Sequence, residues 1–380
     1  MIPYSTQDIN EDDIKAVASV LRSGWLTQGP VLEKFEKAIA KKVGAKYAIA
    51  FNSGTAALHS AYFSAGIGKG DEVIVPSLTF AATANAVLYL GAKPIFSDSE
   101  IETGNMSVAD AEKKITKKTK AIVAVDYGGR PADLREFRAL AKKHNLVFIE
   151  DGAQSLGAEY RGKPVGTQAD MTMFSFHPVK SITTGEGGVI TTNNGKYANA
   201  LRLFRSHGIS KDAKTFKRKN HGTWYQEMQA LGFNYRMPEM SAALGESQLK
   251  RLDSFITKRR RAAMRYYRLL KDIPNIILPL KERPYEKSAW HLYPIRLNAR
   301  ITQRDEVFAK LREAGIGVQV HHVPVHTHVY YEKLGYKKGL CPSAEAFVAS
   351  EISIPLFPNI TQKQQKFIAG TLIDIMNNLC

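Results

Sequence analysis

From Ala45 to about Gly188, short apolar runs alternate with stretches of helical periodicity, and a chain patterned in this way buries its strands in a parallel sheet covered by helices. The runs at 47–51, 72–75, 93–96, 121–125 and 146–149 are nearly continuous in apolar residues, as strands buried on both faces are. Between them, residues 55–65, 81–90, 107–115 and 133–144 carry apolar side chains at helical spacing. Two further strands are expected at 171–176 and 188–192. After Pro238 the alternation stops, and 239–270 reads as long helical material with Leu244, Leu249, Leu252 and Ile256 on its apolar positions, a bridge between lobes. The remainder predicts a smaller α+β unit: a strand at 291–297, a helix at 302–314, a strand at 316–320, and a closing helix opened by the capping box Thr361-Gln362-Lys363-Gln364. The expected division is an N-terminal arm and large domain over 1–250 and a small C-terminal domain over 251–380.

The 380 residues are 44% hydrophobic and 23% charged, material for one large core and a second lobe, which excludes disorder, collagen-like repeats and coiled coil. No apolar stretch approaches the roughly 20 residues a membrane helix needs. Met1-Ile2-Pro3-Tyr4-Ser5-Thr6-Gln7 lacks the basic head and apolar run of a signal peptide, so the expectation is a cytoplasmic protein with no membrane partner. The two cysteines, Cys341 and Cys380, build neither a disulfide framework nor a cysteine metal site. The net charge of +17 raises the question of an anionic partner. Its basic residues, such as Lys113, Lys114, Lys117, Lys118, Lys120 and Lys258, Arg259, Arg260, Arg261, are spread over amphipathic segments with no zinc-finger spacing and no RNP-like motif. They read as solvated helix faces with some attraction for phosphorylated substrates, and no nucleic-acid partner is expected.

Three segments carry chemistry. In Phe174-Ser175-Phe176-His177-Pro178-Val179-Lys180-Ser181-Ile182-Thr183-Thr184-Gly185-Glu186-Gly187-Gly188 a strand ends, Pro178 stops regular hydrogen bonding, and Lys180 follows in a polar, glycine-rich turn. A lysine partly desolvated there has a lowered pKa and a free amine for Schiff-base chemistry; a lone lysine in a turn is otherwise a surface residue. Phe148-Ile149-Glu150-Asp151 places an acid at the C-terminal end of a buried strand, the edge where ligands bind in parallel sheets. Such an Asp151 either pairs with the pyridinium nitrogen of pyridoxal phosphate or caps the following turn. In Asn52-Ser53-Gly54-Thr55-Ala56-Ala57 a strand runs through a glycine into a helix, whose first amides suit a phosphate or an ordinary N-cap.

With these three segments in this order, the chain resembles the DegT-like nucleotide-sugar aminotransferases, pyridoxal phosphate enzymes of the aspartate aminotransferase fold (fold type I). The likeness spans nearly the whole sequence, through Leu26-Thr27-Gln28-Gly29-Pro30, Asn52 to Leu58, Val75-Pro76-Ser77-Leu78-Thr79-Phe80, Ile149 to Gly157, the lysine segment, and Gly232-Phe233-Asn234-Tyr235-Arg236-Met237. It implies an α/β large domain with a mainly parallel sheet and a small C-terminal α+β domain. It further implies that Lys180 forms the Schiff base and shuttles the proton, that Asp151 holds the ring nitrogen, and that Gln154 sits near the ring hydroxyl. Phe80 would stack on the ring, unless it is a plain core aromatic. Gly54, Thr55 and Ser175 would bind the phosphate. Asn234, or Arg236 in its place, would reach the phosphate of the neighbouring subunit, which implies a homodimer with shared active sites. One departure is Gly152, where the family usually has a small side chain such as alanine.

His321, His322, His326 and His328 form the densest histidine group. No acid or cysteine joins them and neighbouring strand residues point to opposite faces, so no metal is expected. The resemblance puts Gly317 to Pro324 at the substrate mouth, making His321 and His322 candidate contacts for sugar or diphosphate, with His177 structural. Tyr4, Trp25, Leu26, Thr27 and Ser53 are the candidates for sugar contact. Within the family the likeness is nearest to the pseudaminic acid members, carried by Ile2-Pro3-Tyr4-Ser5, Leu203-Phe204-Arg205-Ser206-His207-Gly208-Ile209 and Trp224-Tyr225-Gln226-Glu227-Met228-Gln229. The implied reaction moves an amine from L-glutamate to the C4 keto group of a UDP-linked 6-deoxy N-acetyl sugar; another nucleotide-linked 4-keto sugar (perosamine, bacillosamine or arabinose type) is the alternative. A sugar dehydratase on the same scaffold would carry histidine where this chain has Lys180, and a DNA-binding regulator would have lost part of the constellation.

Overall fold

The computed structural model of the chain describes residues 1–218, 221–298 and 303–378. Seven strands, β1 (Tyr47–Phe51), β2 (Glu72–Pro76), β3 (Lys93–Ser97), β4 (Thr119–Val125), β5 (Val147–Asp151), β6 (Met171–Ser175) and β7 (Gly188–Thr192), form one sheet in the order β1-β7-β6-β5-β4-β2-β3. All pairings are parallel except those of β7, which is antiparallel to both β1 and β6. The cause is local: parallel neighbours need a crossover element, whereas β6 returns to β7 through the lysine turn with no helix between them.

Seven helices, α1 (Glu11–Leu21), α2 (Pro30–Val43), α3 (Gly54–Ser64), α4 (Ala82–Leu88), α5 (Val108–Lys113), α6 (Leu134–His144) and α7 (Gly195–Arg205), precede or follow these strands. Successive strand residues feed two different cores, as a period of two demands. Ala48, Ala50, Ile122, Ala124, Phe148 and Phe174 pack with Phe35 and Ile39 of α2 and Phe137 of α6. Ile49, Phe51, Val73, Val75, Val123 and Ile149 pack with Leu58 and Tyr62 of α3 and Val87 of α4.

The helical material after Pro238 is two helices, α8 (Glu239–Leu249) and α9 (Leu252–Leu270), in place of one continuous stretch. Arg251 at the break is tied to α1 and the arm before it by ion pairs with Asp8 and Asp13, which fixes the change of direction. Helix α9 spans two cores: Leu252, Phe255 and Ile256 pack against the large sheet, while Ala262, Ala263, Tyr266 and Leu270 lie in a third core. That core also holds β8 (Tyr293–Leu297), β9 (Glu351–Ile354), α10 (Arg304–Glu313) and α13 (Gln362–Asn377), with α11 (Val329–Lys333) and α12 (Pro342–Ser350) on the intervening chain. The first residue of the expected helix at 302–314 lies outside the described residues, as does Cys380, while Cys341 is buried. The capping box is formed: the Gln364 amide donates to Thr361 Oγ1 at 3.2 Å, and the Thr361 amide to Gln364 Oε1 at 2.8 Å.

The strand expected at 316–320 does not form. Ile316 bridges to Ile2 at one end and Gln319 to Ser353 at the other, so the segment is shared between the N-terminal arm and β9 and joins neither as a ladder. Among the described residues no helix is long and apolar enough to cross a membrane.

Candidate active site

A cavity of about 530 Å³ opens at the C-terminal edge of β4, β5 and β6, the edge at which open α/β sheets receive ligands. Its floor begins at the β1–α3 turn. Ser53 is the N-cap of α3, its Oγ accepting from the Ala56 amide at 3.0 Å, and the first amides of the helix have no intrahelical acceptor. Two glycines close the structure around this turn. A Cβ on Gly54 would lie 3.3 Å from Ser175 Oγ, and one on Gly188 would lie 2.7 Å from Gly54 Cα, so the first residue of β7 reaches the turn only because it has no side chain. Gly54, Thr55 and Ser175 therefore converge on one end of the cavity.

Lys180 enters from the turn between β6 and β7. The turn is closed by the Lys180 amide donating to His177 O at 2.9 Å, the Thr184 amide to Phe176 O at 3.0 Å, and Thr183 Oγ1 to the same carbonyl at 3.1 Å. The side chain is half-buried in the cavity. Burial pushes its amine down to about 8, against the upward pull of the Asp151 carboxylate and with a further downward push from Arg259.

Asp151 ends β5 and is 4% exposed. Its Oδ1 accepts from the Ala153 amide at 3.1 Å and its Oδ2 from Thr83 Oγ1 at 2.7 Å. With its own proton committed to Asp151, the Thr83 hydroxyl receives that of Thr79 at 2.9 Å, so two hydroxyls in series hold the carboxylate. Burial raises its pKa, while Thr83, the Ala153 amide and Lys180 favour the ionised form. Beneath it, Asp126 and Glu150 are buried side by side and desolvation raises both, Asp126 to about 7. Gln154 Oε1 is taken by the Gly128 amide at 2.6 Å, which turns its NH₂ away from that anchor. Gly152, the family departure, has a local reason: a Cβ there would meet Ser155 Oγ at 2.9 Å and Phe174 Cε1 at 3.0 Å.

The opposite wall comes from the loop after β2 and from the C-terminal half. Phe80 is 63% exposed at the cavity, its ring edge-on to His322 at 5.8 Å, so the alternative of a core aromatic is overturned. His321 is fixed by Ser353 Oγ on Nδ1 at 2.9 Å, and burial lowers its imidazole to about 4. His322 Nε2 is buried with no partner. His326 faces elsewhere, its Nδ1 2.6 Å from Ser77 Oγ and its Nε2 2.9 Å from Glu345 Oε1.

One cavity thus gathers Tyr4, Ser53, Gly54, Thr55, Phe80, Asp151, Gln154, Ser175, Lys180, His321 and His322. It does not include Trp25, Leu26 or Thr27, which lie in the exposed α1–α2 loop, nor Asn234 and Arg236. Asn234 is exposed and bridges by its backbone to Ser206. Sequence reasoning missed Thr83, Tyr127, Glu186 and His291 on the cavity walls. Of these, Glu186 stood within the lysine segment and Thr83 just after the 75–80 segment, while Tyr127 and His291 carried no signal.

A lysine, an acid and a helix N-terminus at the carboxyl edge of a mainly parallel sheet is a layout of the fold type I transferases. The chain belongs to the DegT/DnrJ/EryC1/StrS aminotransferase family, whose sequence profile matches residues 7–373, and it is an aminotransferase. It is 40% identical over 383 residues to the UDP-4-amino-4,6-dideoxy-N-acetyl-beta-L-altrosamine transaminase of Campylobacter jejuni, covering 100% of this chain and 98% of that one. Among solved structures, Helicobacter pylori PseC, an aminotransferase involved in the biosynthesis of pseudoaminic acid, superposes with a TM-score of 0.92 at 36% identity over 99% of both chains. The sugar aminotransferase Spr1654 of Streptococcus pneumoniae, described as putative and solved in a PMP form, superposes at 0.94 with 30% identity over 100% of both chains. Its PLP form superposes at 0.93 with 29% identity, over 100% of this chain and 99% of that one.

Proposed function

We propose that this chain is a pyridoxal phosphate-dependent aminotransferase that moves an amine from L-glutamate to the C4 keto group of a UDP-linked 6-deoxy N-acetyl sugar, giving UDP-4-amino-4,6-dideoxy-N-acetyl-β-L-altrosamine. The observation that carries the reading is that the Lys180 amine, the buried Asp151 carboxylate and the cradle of Gly54, Thr55 and Ser175 open on a single cavity. The donor set fits the cofactor: unpaired helix amides and two hydroxyls for a phosphate, a carboxylate for a ring nitrogen, and the Gln154 amide for a ring hydroxyl. When bound, the cofactor supplies an electrophilic aldehyde and a ring that accepts an electron pair.

The chain's own residues do the rest. Asp151, whose ionised form Thr83 and the Ala153 amide favour against burial, would hold a proton on the ring nitrogen. Phe80, exposed at the mouth of the cavity, would cover the ring face. Lys180 Nζ, uncharged over a usable range because burial lowers its pKa, takes a proton from the carbon next to the donor nitrogen and returns one at sugar C4. Tyr4, Ser53, His321 and His322 line the sugar side. Asn234 serves the phosphate of a second copy's site. Tyr89, Trp224, Met228, Leu231 and Phe233 are exposed apolar side chains of the kind a homodimer covers, and Trp25, Leu26 and Thr27 reach a sugar only through that assembly. The similarity to the Campylobacter transaminase supports the sugar and nucleotide, and the cytoplasm, where nucleotide sugars are made, is the compartment this reading assigns. A dehydratase reading is disfavoured by Lys180 itself, since it needs histidine there.

The test is to supply the holoenzyme with L-glutamate and the UDP-linked 4-keto sugar and to assign the product by NMR. The expected product is the 4-amino sugar of L-altro configuration; a product with no new amine, or turnover only with a different 4-keto sugar, overturns the reading.

A further inference from the structure

Arg259 was expected on a solvated basic face, yet it projects from α9 into the interior and is 1% exposed, the largest fully buried side chain among the described residues. Its guanidinium makes no ion pair among them. Nη1 donates to the carbonyls of Leu356 at 2.9 Å, His291 at 3.3 Å and Trp290 at 3.4 Å, and Nη2 to Val179 O at 3.4 Å, while Nε is buried without a partner. A cation buried against carbonyls alone costs stability that an apolar side chain of similar volume would not, so stability does not explain it. The carbonyls it holds share a location. Val179 immediately precedes Lys180, His291 lines the cavity, and the Leu356 amide donates to Tyr4 O at 3.0 Å, Tyr4 being a third wall of that cavity.

We propose that Arg259 is a positioning residue for Lys180: it pins the 177–180 turn to α9 through Val179, next to the lysine, and brings to that turn a positive charge that adds to burial in favouring the uncharged, nucleophilic amine. Burial lowers the amine most, and the Arg259 charge adds to it against the stronger opposing pull of Asp151. Asp151 is the carboxylate that acts on Lys180 and favours the charged amine. The imidazoles of His291, His321 and His322 are kept neutral by burial, and Tyr4, which also feels the Arg259 charge, stays protonated because burial raises its phenol. Asp151 and Arg259 are then charges of opposite sign that act on the lysine in opposite directions.

The inference rests on Lys180 being the reacting amine, and its test is made on apoprotein, so that it stands apart from whether the cofactor and sugar are as proposed. Acetic anhydride at trace concentration labels uncharged amines, and mass spectrometry of the Lys180 peptide across pH gives the titration of that side chain alone. In the native chain half-maximal labelling is expected near pH 8. Arg259→Gln keeps hydrogen-bond donors and removes the charge; its Lys180 titration moves to higher pH, with labelling at pH 7 falling about tenfold for each unit moved. Arg259→Lys keeps the charge and leaves the titration in place. Arg259→Met makes the same charge change as Arg259→Gln in an apolar slot, and serves if Arg259→Gln does not fold. A native titration in either neutral variant, or a shift in Arg259→Lys as large as theirs, overturns the proposal.

Discussion

Replacing Thr83 by valine removes one hydroxyl and keeps the volume. In the native chain that hydroxyl donates to Asp151 Oδ2 at 2.7 Å and receives Thr79 at 2.9 Å, both within a buried wall. Hydrogen bonds to charged groups contribute about 1.5–3 kcal/mol, and a carboxylate oxygen left dry loses that amount when ionised and little when neutral. At about 1.4 kcal/mol per unit, the Asp151 pKa, already raised by burial, should climb a further one to two units or so. The sign follows from linkage. A carboxyl whose folded pKa lies above its unfolded value destabilises the fold once pH exceeds the unfolded value, and the full penalty is reached above the folded one. Thr83→Val should therefore unfold at lower temperature than the native chain near neutral pH, and the gap should shrink as pH falls toward the ordinary carboxyl range. Thermal unfolding of the apoproteins from pH 4 to 8 measures this directly, with pyridoxal phosphate affinity as a second readout. Thr83→Ser, which restores the donor, should recover both. A gap that is constant with pH, or a serine variant as weak as valine, would refute the reasoning.

Other outcomes follow from the same geometry. Lys180→Met should abolish turnover while its apoprotein is more stable than native below pH 8, by up to about 3 kcal/mol, because the native fold holds the lysine amine near 8 against an unfolded 10.5; the gain should shrink as pH rises from 8 and vanish above 10.5. Gly188→Ala places a Cβ 2.7 Å from Gly54 Cα, so cofactor retention measured by dialysis should fall more than the unfolding temperature does. Sedimentation should show a dimer, and Asn234→Ala should weaken its cofactor retention; unchanged retention assigns that role to Arg236.

What the sequence disclosed was what short-range order fixes. Asp151 ends a strand, and Gly54-Thr55 and Lys180 follow strand ends by three to five residues, so reading the strands placed them at the same sheet edge. Residues whose position depends on distant packing were not legible. Arg259 lies in a run of four basic residues, and nothing local says which of the four turns inward. His291 reaches the cavity through its backbone bond to Gly128, a contact across more than a hundred residues. The divided loyalties of 316–320, which answer to Ile2 and Ser353, are likewise set by partners remote in sequence. Phe80 shows a third case, where the residue was found but its exposure, which decides between core and ligand contact, belongs to the assembled walls.

The most direct test of the central claim is the absorption spectrum of the purified protein through two half-reactions. The lysine-bound cofactor should give a visible band, L-glutamate should bleach it to the amine form, and the UDP-linked 4-keto sugar should restore it, with none of these changes in Lys180→Met. A native chain that shows no band after addition of pyridoxal phosphate, or a band that glutamate leaves untouched, would contradict it.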